Sequence, residues 1–228
     1  MGELSHLGII MDGNGRWAER QGLSRSQGHK AGAEAARRVV DALLEDGSVS
    51  YLTLFCFSTE NWKRPYAETS FLMGLLIEML EEYSPAYKGK GVRLLHLGRR
   101  DRLPDNVLSA LDQAIMETKD GEKLTVQLAI DYGGEDEIDR AVRKAVAAGE
   151  TSFTTDILLK YVDNPEVPPP DMIVRSAGEF RLSGFLLLSS SYAEFNFYDR
   201  LWPDWDESMV RTVLEDFHKR HRRFGGLK

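Results

Sequence analysis

Arginines, hydroxyls and carboxylates recur in three short stretches of this chain: Met11-Asp12-Gly13-Asn14-Gly15-Arg16-Trp17, Ser58-Thr59-Glu60-Asn61-Trp62-Lys63-Arg64, and Arg175 to Ser183. A guanidinium matches the oxygens of a phosphate in a two-pronged fork, so Arg16, Arg25, Arg64, Arg175 and Arg181 together suit two anionic groups bound side by side. Gly13 and Gly15 let the backbone turn tightly, and a helix starting there would aim free N–H groups at an anion. Taken alone, this loop reads equally well as a glycine turn with a solvated arginine. The Lys-Ser/Thr of a P-loop and the third glycine of a dinucleotide fingerprint are both absent, which disfavours a nucleotide. Asp12 is the acid nearest the proposed anions, and Glu194 is a second. Hard oxygens of this kind hold Mg²⁺ on a diphosphate, although a turn residue and a surface acid are the plainer readings. His6 and His29 lack the spacing of a metal cluster and are expected to make hydrogen bonds.

Each stretch follows a short apolar run of strand length. Such runs lie at Leu7 to Ile10, Tyr51 to Phe57, Val92 to Leu97, Leu124 to Ile130, Met172 to Val174 and Phe185 to Leu188. Between them are helical spacings. Ala35, Val39, Val40, Leu43 and Leu44 share a face that ends at Gly47, and Phe71 to Leu80 repeat as apolar pairs. Met209, Val210, Val213, Leu214 and Phe217 follow Asp206, a candidate N-cap. Strands alternating with helices predict an α/β fold with a mostly parallel six-stranded sheet flanked by helices. Ligands of open α/β sheets bind at the carboxyl ends of the strands, where the arginine-bearing stretches begin. The Phe71 to Leu80 face would pack into the core or line a pocket for a hydrocarbon tail.

The 228 residues are expected to form one domain, 1–228. A net charge of −7 argues against nucleic acid as a partner. One cysteine, Cys56, excludes a disulfide framework and suits a reducing, cytoplasmic setting. No apolar stretch is long enough to span a membrane, and the N-terminus has no charged-then-apolar leader.

The segments His6 to Ala18, Gly28-His29, Leu52 to Pro65, Arg175 to Ser183, Tyr192 to Glu194, Trp202 to Asp204 and Arg222 to Gly226 resemble the cis-prenyltransferase family, typified by undecaprenyl diphosphate synthases, over almost the whole chain. The resemblance implies a homodimeric, Mg²⁺-dependent prenyltransferase that condenses two isoprenyl diphosphates and releases pyrophosphate, with an apolar tunnel for the growing chain. It implies that Asp12 binds Mg²⁺ assisted by Glu194, and that Asn14, Gly15, Arg16, Arg25 and His29 hold the allylic diphosphate, with Gly13 and Trp17 in the same loop. Arg175, Arg181 and Ser183 would hold the second diphosphate. Ser58, Asn61, Trp62, Arg64 and Glu68 match the mobile catalytic segment. Arg223 and Gly225 match the C-terminal motif that reaches the partner subunit's site.

The chain departs from the family pattern at Phe180 (usually His), at Gly184 (usually Asn), at Leu188-Ser189 (usually Trp-Gln), at Ser176-Ala177 and at Asp131 and Glu135 of the Asp-Tyr-Gly-Gly-Glu stretch. These changes cluster around the acceptor. They suggest a lavandulyl-type enzyme joining dimethylallyl units head to middle, with linear head-to-tail synthesis from isopentenyl diphosphate as the alternative. Retention of Asp12 and the full glycine loop speaks against a noncatalytic subunit.

Overall fold

The computed structural model describes residues 3–220. Strands β1 (His6–Ile10), β2 (Tyr51–Ser58), β3 (Val92–Leu97), β4 (Leu124–Tyr132), β5 (Met172–Arg175) and β6 (Glu194–Phe197) form one sheet in the order β3-β4-β2-β1-β5-β6. Every pairing is parallel. The central strands read as continuous apolar runs because helices cover both faces, and β1 is buried along its whole length. The helices are α1 (Asn14–Arg20), α2 (Arg25–Asp46), α3 (Tyr66–Lys90), α4 (Asp105–Thr118), α5 (Gly134–Ala147), α6 (Thr155–Leu158) and α7 (Glu207–His218).

Local signals set the helix ends. Ser24 caps α2 by accepting from the Gln27 N–H, and Gly47 closes the same helix in the left-handed conformation. Asp206 caps α7 through the Met209 N–H. The expected 71–80 periodicity is the middle of a longer helix, α3, which continues through an internal proline, Pro85.

One strand expectation fails. Phe185 to Leu188 is a turn in which Leu186 has φ +47°. Its apolar content has a different use: Phe185 is fully buried and stacks on Phe55 with ring centroids 4.8 Å apart. The sixth strand is Glu194–Phe197, a half-exposed edge strand with no continuous apolar run. This moves Glu194 from the end of a strand to the beginning of one. Among the described residues, no helix is long and apolar enough to cross a membrane.

Candidate active site at the carboxyl rim of the sheet

The exits of β1 and β5 are stitched together by one hydroxyl. Ser176 Oγ accepts the Asp12 N–H at 2.8 Å and donates to the Asp12 carbonyl at 2.7 Å. Gly13 follows at φ +104°, and a Cβ there would stand 2.9 Å from Leu201, so both conformation and space require glycine. The turn carries the Asp12 carboxylate toward Arg175. Arg175 Nη2 donates to Asp12 Oδ2 at 2.9 Å, and Nη1 donates to the Arg181 carbonyl at 2.6 Å and to Ser183 Oγ at 3.0 Å. The Arg175 side chain is only 6% exposed, and its buried Nε has no partner. Burial pushes the Asp12 carboxyl up, but the hydrogen bond and charge of Arg175 outweigh it and hold the group below the ordinary carboxylate value.

Two further carboxylates gather the remaining cations. Glu179 Oε1 lies 3.3 Å from Arg16 and its Oε2 accepts from Arg181 at 2.6 Å. Arg16 also donates to the Ala177 carbonyl at 3.0 Å and faces Asp12 at 3.6 Å. Glu68, in the first turn of α3, meets Arg64 at 3.1 Å, Arg25 at 3.4 Å and His29 at 3.6 Å. Burial, with the charge of Arg64, lowers the His29 pKa against the opposing pull of Glu68, so the ring is neutral at pH 7.

Packing of α1 on α2 places Asn14. A Cβ on Gly28 would stand 2.2 Å from the Asn14 carbonyl, and one on Gly32 would stand 2.3 Å from Asn14 Oδ1. Asn14 Nδ2 lies 3.5 Å from His29 Nδ1. Asn14 Oδ1 and His29 Nε2 are buried without a hydrogen-bond partner, a costly arrangement that a polar ligand would relieve.

These groups surround two connected cavities. A polar cleft of about 1620 Å³, its open solvent-facing mouth included, is lined by Asp12, Asn14, His29, Ser58, Asn61, Arg64, Arg175 and Ser183 among others. An apolar one of about 1060 Å³, measured with its open mouth, runs beneath α2 and α3. They share Met11, Asn14, His29, Phe55, Cys56 and Leu72. Burial pushes the Cys56 thiol up to about 12, so at this junction it is a neutral, inert group. Arg16, Arg25, Glu68 and Arg181 are not part of the polar lining and reach the site through the carboxylate pairs described above. Ser58 and Asn61 are tied by a bond from the Ser58 N–H to Asn61 Oδ1 at 3.1 Å.

Some expected residues are placed elsewhere. The Trp17 indole N–H is taken by Asp204 at 2.7 Å, and that of Trp62 by the buried Asp131 at 2.9 Å. Glu194 pairs in register with Met172, at the opposite end of β5 from Arg175, and is bound by Arg220 at 3.1 Å. Within one chain the sheet therefore holds Glu194 and Asp12 at opposite ends of its parallel strands. Arg223 and Gly225 lie outside the described residues. Conversely, Arg99 and Arg102 line the polar cavity although the sequence reading passed over them. They follow β3 at its carboxyl end, so the rule applied to β1, β2 and β5 would have found them.

An apolar cavity opening directly onto a nest of buried and bridged arginines is an arrangement for amphipathic diphosphates. The prenyltransferase family model described as undecaprenyl diphosphate synthase matches residues 10–225. The chain belongs to this family. It is 44% identical to the isoprenyl transferase of Thermotoga maritima over 97% of both chains, and 46% identical to isoprenyl transferase 1 of Bradyrhizobium diazoefficiens over 99% of this chain and 91% of that one. Among solved structures it is similar to lavandulyl diphosphate synthase from Lavandula x intermedia in complex with dimethylallyl diphosphate, with a TM-score of 0.92 and 27% identity, over 97% of this chain and 98% of that one. A probable undecaprenyl diphosphate synthase from Campylobacter jejuni superposes with a TM-score of 0.85 and 33% identity, over 99% and 100%. As a member of the family, the chain is a prenyltransferase that condenses prenyl diphosphates.

Proposed function

We propose that the chain joins an allylic isoprenyl diphosphate to isopentenyl diphosphate head to tail, giving a linear Z-prenyl diphosphate and pyrophosphate. The observation that carries this reading is the length of the apolar cavity. Along α3 its lining extends from Leu72 at the shared mouth to Tyr87, about 22 Å at 1.5 Å per residue, which suits a chain grown by repeated addition. Full-length identity above 40% to isoprenyl transferases supports it.

In this reading the allylic diphosphate lies over Asn14, Gly15, Arg16, Arg25 and His29, and its tail enters the apolar cavity. The second diphosphate is held by Arg175, Arg181 and Ser183. The allylic C–O bond breaks, the acceptor alkene attacks C1, and a proton lost from the acceptor passes to the departing diphosphate. The protein supplies fixed positive charge along that path, where a single preorganised donor is typically worth about 3 kcal/mol.

Asp12 suits Mg²⁺. It is ionised and faces the polar cavity, and an ion held mainly by substrate phosphates needs only one or two protein carboxylates. Among the described residues no group of three metal-ligating side chains exists. Bound there, Mg²⁺ would neutralise charge on the leaving diphosphate. A homodimer across the β6 edge belongs to the same reading, since Phe180 and Phe195 are exposed beside that open strand.

Head-to-middle condensation of dimethylallyl diphosphate is the second reading. The overall similarity to lavandulyl diphosphate synthase and the presence of Phe180 where the family usually has His favour it. Two incubations separate them. Geranyl or farnesyl diphosphate with isopentenyl diphosphate should yield products lengthened by successive C5 units, and dimethylallyl diphosphate alone should yield nothing. A branched C10 diphosphate from dimethylallyl diphosphate alone would overturn the linear reading.

A further inference from the structure

One buried side chain ties together the segments that leave the carboxyl ends of β2, β3 and β4. β2 and β4 lose register as they approach the polar cavity: Phe57 pairs with Ile130 and Ser58 with Tyr132, so Asp131 is passed over. Its backbone takes φ +50°, and an irregularity of this kind beside a site re-aims a side chain. The Asp131 side chain is fully buried. Its carboxylate accepts from Trp62 Nε1 at 2.9 Å, from Arg102 Nε at 2.9 Å and from Arg102 Nη2. Its carbonyl accepts the Arg99 N–H at 3.0 Å. A buried carboxylate needs such partners, and here they come from two different loops.

Trp62 is the inward-facing member of the turn Thr59–Lys63. Its ring meets Phe57 edge-on with centroids 4.9 Å apart, and it does not line the polar cavity. Ser58, Asn61 and Arg64, spaced by three residues, all do. The other side-chain bonds of this turn are local: Asn61 accepts from the Ser58 N–H, Thr59 donates to Glu60, and Arg64 pairs with Glu68. Among the described residues, Trp62 to Asp131 is the one side-chain hydrogen bond that joins the turn to β4.

We infer that Asp131 is a positioning residue for the allylic substrate: through Trp62 it holds the 59–63 turn so that Asn61 and Arg64 face the diphosphate, while Arg102 balances its buried charge. This rests on the condensation proposed above. The allylic side is the one affected, because Arg64 shares Glu68 with Arg25 and His29. Arg175, Arg181 and Ser183, assigned to the acceptor, belong instead to β5 and the loop after it.

The test is a double-mutant cycle on the full chain with farnesyl and isopentenyl diphosphates, read by pyrophosphate release at a temperature where melts show each variant folded. Trp62→Phe keeps a ring against Phe57 and leaves the Asp131–Arg102 pair in place. Asp131→Gly removes the carboxylate and accepts the positive φ without strain. Each should lower kcat/KM for farnesyl diphosphate at least fivefold and leave KM for isopentenyl diphosphate within twofold of the wild type. The double variant should fall no more than twofold below the less active single variant, since both remove the same contact. Losses that multiply would overturn the positioning role. So would a wild-type kcat/KM in Trp62→Phe, which decides the matter even where Asp131→Gly does not fold. The indole N–H signals, assigned by their loss in Trp62→Phe and Trp17→Phe, need no turnover. In the wild type that of Trp62 should exchange with solvent at least tenfold more slowly than that of Trp17, whose bond to Asp204 is exposed. Equal exchange would refute the anchor. If the wild type does not condense this substrate pair, the elongating function fails, and the same cycle on dimethylallyl diphosphate alone decides the role of Asp131.

Discussion

Adding one methyl group at Gly32 tests whether the α1–α2 contact positions the site or only packs it. A Cβ at this position would stand 2.3 Å from Asn14 Oδ1, whereas real Cβ contacts begin near 3.0 Å and become ordinary at 3.4 Å. The Asn14 amide must therefore retreat by about 0.7 to 1.1 Å, and it is a side chain that can do so. The stability cost is modest, because about 1–3 kcal/mol of overpacking is offset by about 1 kcal/mol from replacing a helical glycine. For a chain of this size that is a fall in Tm of at most about 8 °C. The kinetic cost should be larger. Displacing a group that touches substrate by about an ångström lowers kcat/KM by roughly 10- to 100-fold. Steady-state pyrophosphate release and thermal melts on Gly32→Ala read the two effects separately. Gly74→Ala is the control, since nothing lies within 4 Å of that Cβ, and it should melt slightly higher with unchanged kinetics. A Gly32→Ala enzyme with wild-type kcat/KM would refute the assignment of Asn14 to the site.

Asp131→Asn should lower stability by about 1–3 kcal/mol, less than a fully buried pair because Arg102 reaches water. Asparagine tolerates the residue's φ of +50°, so the loss reports the ion pair and not strain, and denaturant melts measure it. Stability against pH should reveal two opposed groups. Burial raises the Glu137 pKa from 4.5 to about 7, so its contribution is full below pH 4.5 and is lost as pH rises toward 7. Burial lowers the His6 pKa from 6.5 to about 4, so its contribution is present above pH 6.5 and is lost as pH falls toward 4. Each amounts to about 3 kcal/mol, and the two nearly cancel across pH 4 to 7. Relative to the wild type, Glu137→Gln should therefore show stability falling toward acid, and His6→Asn should show it falling toward neutral pH. Parallel pH profiles for the three proteins would contradict both assignments.

How much of this was legible in the sequence differs by element. Five strands and the caps at Gly47 and Asp206 announced themselves, because a strand buried on both faces must be a continuous apolar run and a helix end must satisfy its own backbone. The edge strand Glu194–Phe197 did not, because it is half-exposed and has no continuous apolar run, whereas the opposite edge strand β3 is packed by α3 and α4 and does, and the apolar turn at Phe185 stood in its place. The loop after β1, with Asp12 between a strand end and a glycine turn, was visible from spacing alone. Its electrostatic state was not. That Arg175 is buried against Asp12, that Glu179 and Glu68 gather the other arginines, and that Arg99 and Arg102 face the same cavity are contacts between residues far apart in the chain. Residue types and local spacing sufficed to indicate phosphate-binding chemistry at the strand ends, because those signals are short-ranged. The depth of the apolar cavity and the separation of Glu194 from Asp12 depended on how whole elements stack, and stacking is decided only when the sheet closes its register.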